Sequence, residues 1–127
     1  SSERATKSRR QQLTQLREAL LPHMEGEERL FYQYLLENGS SREHVFEAFE
    51  EHAAARKVLE DIERTGVDDE SWAPKMKVLH EVLDHHIEEE EDELVEMARS
   101  LMDDQAAQEM GTKFQEMESQ SRQRLAA

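Results

Sequence analysis

Between Met76 and Leu101 the residues Met76, Leu79, Leu83, Leu94, Met97 and Leu101 follow one another at helical steps of three and four, and the two gaps in that stripe are filled by His86 and Glu90. A stripe of this period is the buried face of an amphipathic helix. An imidazole and a carboxylate therefore point into a core, one turn apart on one face, where they can share a partner. A buried carboxylate with nothing to satisfy it costs several kcal/mol, and a metal ion held between the two groups meets that cost.

The same substitution of ligand-type side chains for core residues recurs along the chain. The spacing predicts a first helix over about residues 7–37, with Leu13, Leu16, Leu20, His23, Glu27, Leu30 and Tyr34 on its seam and Asn38-Gly39 as its stop. Pro22 lies inside this helix and is expected to bend or interrupt it. A second helix, capped by Ser40 or Ser41 and ended by Gly66, carries Val45, Phe49, His52, Leu59 and Ile62, with Ala55 or Arg56 completing the stripe. The third helix starts from the caps Asp68, Asp69 or Ser71, tolerates Pro74 in its first turn and runs to about Met102. After Asp103-Asp104, residues 103–127 form an accessory helix with a narrow stripe of Ala107, Met110, Phe114, Met117 and Leu125, weakened by Gly111 and Ser121. Period-two alternation of β-branched residues is absent, so the fold is read as an all-α, up-down helical bundle forming one domain over residues 1–127.

A lone histidine on an apolar face is commonly a hydrogen-bonded core residue. Three such histidines and two such carboxylates on three helices call for a common partner. If the helices pack antiparallel through short loops, His23, His52 and His86 fall within roughly one turn of the same level, given a rise of about 1.5 Å per residue. His44, His80 and His85 lie off or at the edge of the seams and read as surface or supporting groups. Glu28 becomes an outer ligand only if the helix is rotated or unwound near Pro22. Glu88, Glu89, Asp92 and Glu93 read as a solvated acidic face.

Composition narrows the class. The chain has no cysteine, so a metal would be bound by nitrogen and oxygen, which suits iron, manganese or zinc. With 30 acidic against 16 basic residues and a formal net charge of -14, nucleic acid is excluded as a partner. No apolar run approaches the roughly 18 residues of a membrane span, so no membrane partner is expected and the protein reads as soluble and cytoplasmic.

Taken together, His23-Met-Glu-Gly-Glu27-Glu-Arg-Leu-Phe-Tyr, then Glu51-His52, then His85-His86-Ile-Glu-Glu-Glu90-Glu resemble the hemerythrin-like HHE cation-binding domains over roughly residues 10–102. That resemblance implies a helical bundle holding a non-haem di-iron centre, with His23, His52 and His86 as terminal ligands and Glu27 and Glu90 as bridging carboxylates. It implies binding or sensing of oxygen or a related small ligand, or iron handling; no general base, nucleophile or second substrate pocket is visible in the sequence, so no enzymatic activity is expected. Two other readings are a ferritin-like di-iron oxidase or peroxidase, disfavoured because the spacing here is His-x-x-x-Glu rather than Glu-x-x-His, and a metal-free helical interaction module. The family's pattern opens with an earlier helix bearing a further ligand histidine, which residues 1–22 do not supply. The domain is therefore expected to be N-terminally incomplete, and the apolar groove so left to be covered by a second copy, giving a homodimer or larger assembly, domain-swapped or not, through Leu13, Leu16 and Leu20.

Overall fold

A computed structural model describes residues 2–39 and 41–126, with the side chains of Ser2, Glu89, Glu90, Glu91 and Ala126 outside that description. Among the described residues are four helices and no strand. The first covers 2–37 in three contiguous windings, α over Ser2–Gly26, π over Glu27–Tyr32 and α again over Gln33–Glu37. The second is Arg42–Arg64. The third covers 72–101, with α winding over Trp72–His85, π over His86–Glu91 and α over Asp92–Leu101. The fourth is Asp104–Ala126.

The ends of these helices follow local chemistry. The hydroxyl of Ser41 accepts from the His44 backbone N–H at 3.5 Å and caps the second helix; Ser40, the other candidate cap, lies outside the described residues. Asn38 and Gly39 close the first helix, Gly39 at a φ of 83° that a side chain would strain. Asp69 Oδ1 accepts from the Ser71 N–H at 2.8 Å ahead of the third helix, and Asp103 Oδ1 accepts from the Ala106 N–H at 2.7 Å to start the fourth. The fourth helix passes through Gly111 and Ser121 without a break.

Pro22 does not interrupt the first helix. It is buried within continuous α winding, and the change of winding comes later, at Glu27. Proline removes one backbone donor at its own position, whereas the π stretch accommodates one extra residue in the turn that holds the site.

The helices run alternately up and down. The start of the first meets the loop after the second, where the Thr6 hydroxyl donates to Asp68 at 2.8 Å and the Arg9 guanidinium lies 5.2 Å from the centre of the Trp72 ring. At the other end the Tyr34 hydroxyl donates to the Leu101 carbonyl at 3.2 Å. The fourth helix returns along the upper part of the first, and its Phe114 ring packs so closely on Gly26 that a Cβ there would sit 3.0 Å from the ring.

Two apolar clusters fill the interior. One comprises Met24, Ala55, Leu59, Ile62, Trp72 and Leu79, with Leu13, Leu16 and Leu20 packed against it. The other comprises Tyr32, Leu35, Val45, Ala48, Leu94 and Ala98. Each fully buried aliphatic or aromatic side chain contributes about 1.5–3 kcal/mol relative to exposure. Between the clusters lies a layer containing Glu27, His52 and His86, all buried.

Candidate metal centre

Each of the three buried polar residues arrives from a different helix at a turn the local winding sets. Glu27 opens the π stretch of the first helix and His86 opens that of the third, while His52 sits mid-way along the regular second helix between Ala48 and Ala55, small residues that let the neighbouring helices approach. π turns inside α-helices occur frequently at functional sites. Here both stand on the two His-x-x-x-Glu segments.

One ligand atom from each of Glu27, His52 and His86 lies within 4.8 Å of the others. His52 Nε2 is 3.0 Å from His86 Nε2 and 3.4 Å from Glu27 Oε1. Two imidazole nitrogens presenting lone pairs at that distance repel one another unless a proton or a metal cation lies between them. The far side of each ring faces a carboxylate. His52 Nδ1 donates to Glu28 Oε2 at 2.7 Å, and His86 Nδ1 lies 3.6 Å from Glu51 Oε2. A carboxylate behind a metal-binding imidazole fixes the tautomer that leaves Nε2 free for the metal and makes that nitrogen more basic.

Glu28 is itself anchored. Arg56 donates to both of its oxygens, at 2.8 and 2.9 Å, in the forked geometry a guanidinium favours. Burial works to raise the Glu28 pKa, but the hydrogen bonds from His52 and Arg56, together with the Arg56 charge, hold it down at about 2. Burial likewise works to lower the His52 pKa, and the hydrogen bonds and charges of Glu27 and Glu28 outweigh it, so its pKa lies above the ordinary imidazole value.

His23 stands at the rim. Its side chain is 46% exposed, with Nε2 3.2 Å from Glu27 Oε1 and Nδ1 3.5 Å from Glu118 Oε2 of the fourth helix. The Phe114 ring meets it edge-on at 5.5 Å. A cavity of about 50 Å³ is lined by Leu20, His23, Glu27, His52, Val82 and His86 among others. A water-sized probe needs at least about 10–15 Å³, so the space admits an ion and water-sized molecules.

Of the five residues singled out from the sequence, the structure brings Glu27, His52 and His86 together and joins His23 to them through Glu27; the side chain of Glu90 lies outside the described residues. His44 is occupied elsewhere, by Ser41 at 2.9 Å and Glu93 at 3.4 Å, and His80 and His85 are exposed. Glu28 acts behind His52, and the π winding that begins at Glu27, not Pro22, turns the helix there. Two residues lie within the segments that carry the family resemblance but were given no role from the sequence. Glu51 precedes a seam residue and lies off the stripe. Tyr32, fully buried with its hydroxyl 3.2 Å from His52 Nε2 and 3.4 Å from His86 Nε2, is off the α-helical seam and reaches the site only because the turn after Glu27 holds an extra residue.

No helix of the described residues is long and apolar enough to cross a membrane. The family model of the hemerythrin HHE cation-binding domain matches residues 1–98. No curated protein and no solved structure matches.

Proposed function

Because the chain belongs to the hemerythrin HHE cation-binding domain family, we propose that it holds a non-haem di-iron centre and uses it to bind or sense oxygen or a related small ligand, or to handle iron. The observation that supports this reading is the convergence of two imidazole Nε2 atoms, 3.0 Å apart, on the buried Glu27 carboxylate, with a second carboxylate near Nδ1 of each ring. Such a donor set of nitrogen and oxygen suits iron. His52, His86 and His23 would serve as terminal ligands, Glu27 as a carboxylate with two oxygens to share, and Glu90 as its counterpart on the third helix. When bound, iron supplies exchangeable coordination positions and redox electrons to a small ligand.

The residues around the site set what reaches it. Leu20, Val82, Leu83 and Ile87 form an apolar wall that keeps bulk water from the carboxylate, which strengthens the electrostatic hold on a cation. His23, half exposed, marks the way in. The cavity admits an ion and water-sized molecules, in keeping with a binder of small ligands.

Elemental analysis and the visible absorption spectrum of freshly purified protein test the proposal. The wild type is expected to carry iron with a visible chromophore, and His52→Ala and His86→Ala to lose most of it. A wild type that carries no transition metal after iron loading, or variants that retain full iron content, would overturn the reading.

A further inference from the structure

We propose that Glu118 is the positioning residue of His23, which makes the fourth helix, beyond the residues 1–98 matched by the family model, a working part of the metal centre; this rests on the metal-binding reading above. The three imidazoles share one arrangement. Nε2 of His52 lies 3.4 Å from Glu27 Oε1, Nε2 of His23 lies 3.2 Å from the same oxygen, and Nε2 of His86 lies 3.0 Å from that of His52. On its other side each ring meets a carboxylate: His52 Nδ1 is 2.7 Å from Glu28, His86 Nδ1 is 3.6 Å from Glu51 and His23 Nδ1 is 3.5 Å from Glu118. Glu28 and Glu51 come from helices that carry ligands themselves. Glu118 comes from the helix that carries none. The parallel extends one residue further out, because Arg56 holds Glu28 at 2.8 Å and Arg122 holds Glu118 at 3.4 Å.

The inward placing of Glu118 is selective. Asp104, Glu109 and Glu116 of the same helix are exposed, whereas the Glu118 side chain is 25% exposed. Phe114, Glu118, Ser121 and Leu125 follow one another at steps of four, three and four and so share one helical face. That face is docked on the first helix on both sides of Glu118. Ahead of it, the Phe114 ring meets His23 edge-on at 5.5 Å and packs against Gly26. Beyond it, the Ser121 hydroxyl and the Arg124 guanidinium donate to Glu25, at 2.8 and 3.1 Å. These contacts fix the height and rotation of the fourth helix where Glu118 faces the His23 ring.

A half-exposed ion pair adds little to stability, so the effect of this contact falls on the geometry of His23. A carboxylate beside Nδ1 favours the tautomer whose Nε2 lone pair is turned toward Glu27, and it restrains rotation of a ring that the core does not enclose. Glu118 touches no ion itself and acts through the imidazole.

The experiment measures cobalt(II) affinity, by competition with a chromophoric chelator, for full-length wild type, Glu118→Gln, Glu118→Ala, Glu116→Gln, His23→Ala and the double variant His23→Ala/Glu118→Ala, with helicity read by circular dichroism. Both Glu118 variants are expected to keep wild-type helicity and to bind about tenfold more weakly, the low end of what loss of a supporting carboxylate costs. Glu116→Gln, which removes the same charge from the exposed face, should leave affinity unchanged. In the His23→Ala background, loss of Glu118 should change affinity by less than about twofold, because the group it acts through is gone. Wild-type affinity in the Glu118 variants overturns the proposal and leaves the metal-binding reading standing. An equal loss in Glu116→Gln overturns it too, since net charge alone then accounts for the effect, as does an undiminished loss in the His23→Ala background. If Glu118→Ala fails to fold, Glu118→Gln decides; if His23→Ala binds too weakly to titrate, the comparison with Glu116→Gln decides. Wild type that takes up neither cobalt nor iron overturns both readings.

Discussion

Glu28 lies between a guanidinium that neutralises it and an imidazole that it orients. The fork from Arg56 at 2.8 and 2.9 Å leaves its carboxylate little freedom, and the 2.7 Å bond to Nδ1 then fixes the plane of the His52 ring. Replacing the carboxylate by an amide keeps the shape but not the charge, and loss of such a supporting partner typically costs about 10–100-fold in metal affinity. Glu28→Gln is therefore expected to weaken metal binding by about that factor in a competition titration against a chromophoric chelator. His86→Ala should weaken it further, and His44→Ala should leave it unchanged, because His44 is bonded to Ser41 and Glu93 away from the site. Equal affinities for the His86 and His44 variants would remove the assignment of His86 as a ligand.

Along the helices, the α-helical period holds up to the site and slips beyond it. On the first helix the periodic stripe continues through Leu30 and Tyr34, yet the fully buried residues are Tyr32 and Leu35. On the third, Leu94 is buried as the stripe expects, but beyond it Ala98 is buried and Leu101 is 38% exposed. A period of 3.6 is blind to one extra residue in a single turn, and nothing in Glu27–Tyr32 or His86–Glu91 announces a π winding by composition. The second helix, which has no such stretch, was legible for most of its length: Val45, His52, Leu59 and Ile62 are buried, Ala55 completes the stripe, and Arg56 turns to Glu28, while Phe49 is only partly buried and Ala48 beside it is fully buried. Helix existence, the stops at Gly39 and Gly66, and three of the site residues were thus readable from spacing. Tyr32 was not, because its place depends on the slipped register. The slip can be measured: Leu94→Ala is expected to cost about 2–5 kcal/mol in denaturant unfolding, as large-to-small changes in a core do, and Leu101→Ala about 0.5 kcal/mol or less. Similar costs at both positions would contradict the difference in burial between Leu94 and Leu101.

For the molecule as a whole, the fourth helix covers only the upper part of the first, around Gly26 and Leu21. Leu13, Leu16 and Leu20 are packed against the core but only partly buried. Self-association through that partly open stripe remains our proposal, and light scattering at micromolar concentration tests it; a stable monomer would remove it. The arrangement of the interior carries a further consequence. The two apolar clusters are stacked along the bundle with a layer of carboxylates and imidazoles between them. Without a cation, that layer contributes little to holding one cluster in register with the other, so each can melt on its own. In calorimetry the metal-loaded protein is expected to show one transition with equal calorimetric and van't Hoff enthalpies. After chelation the calorimetric enthalpy should exceed the van't Hoff value, the mark of more than one cooperative unit; the cation would then set the number of melting units as well as the melting temperature.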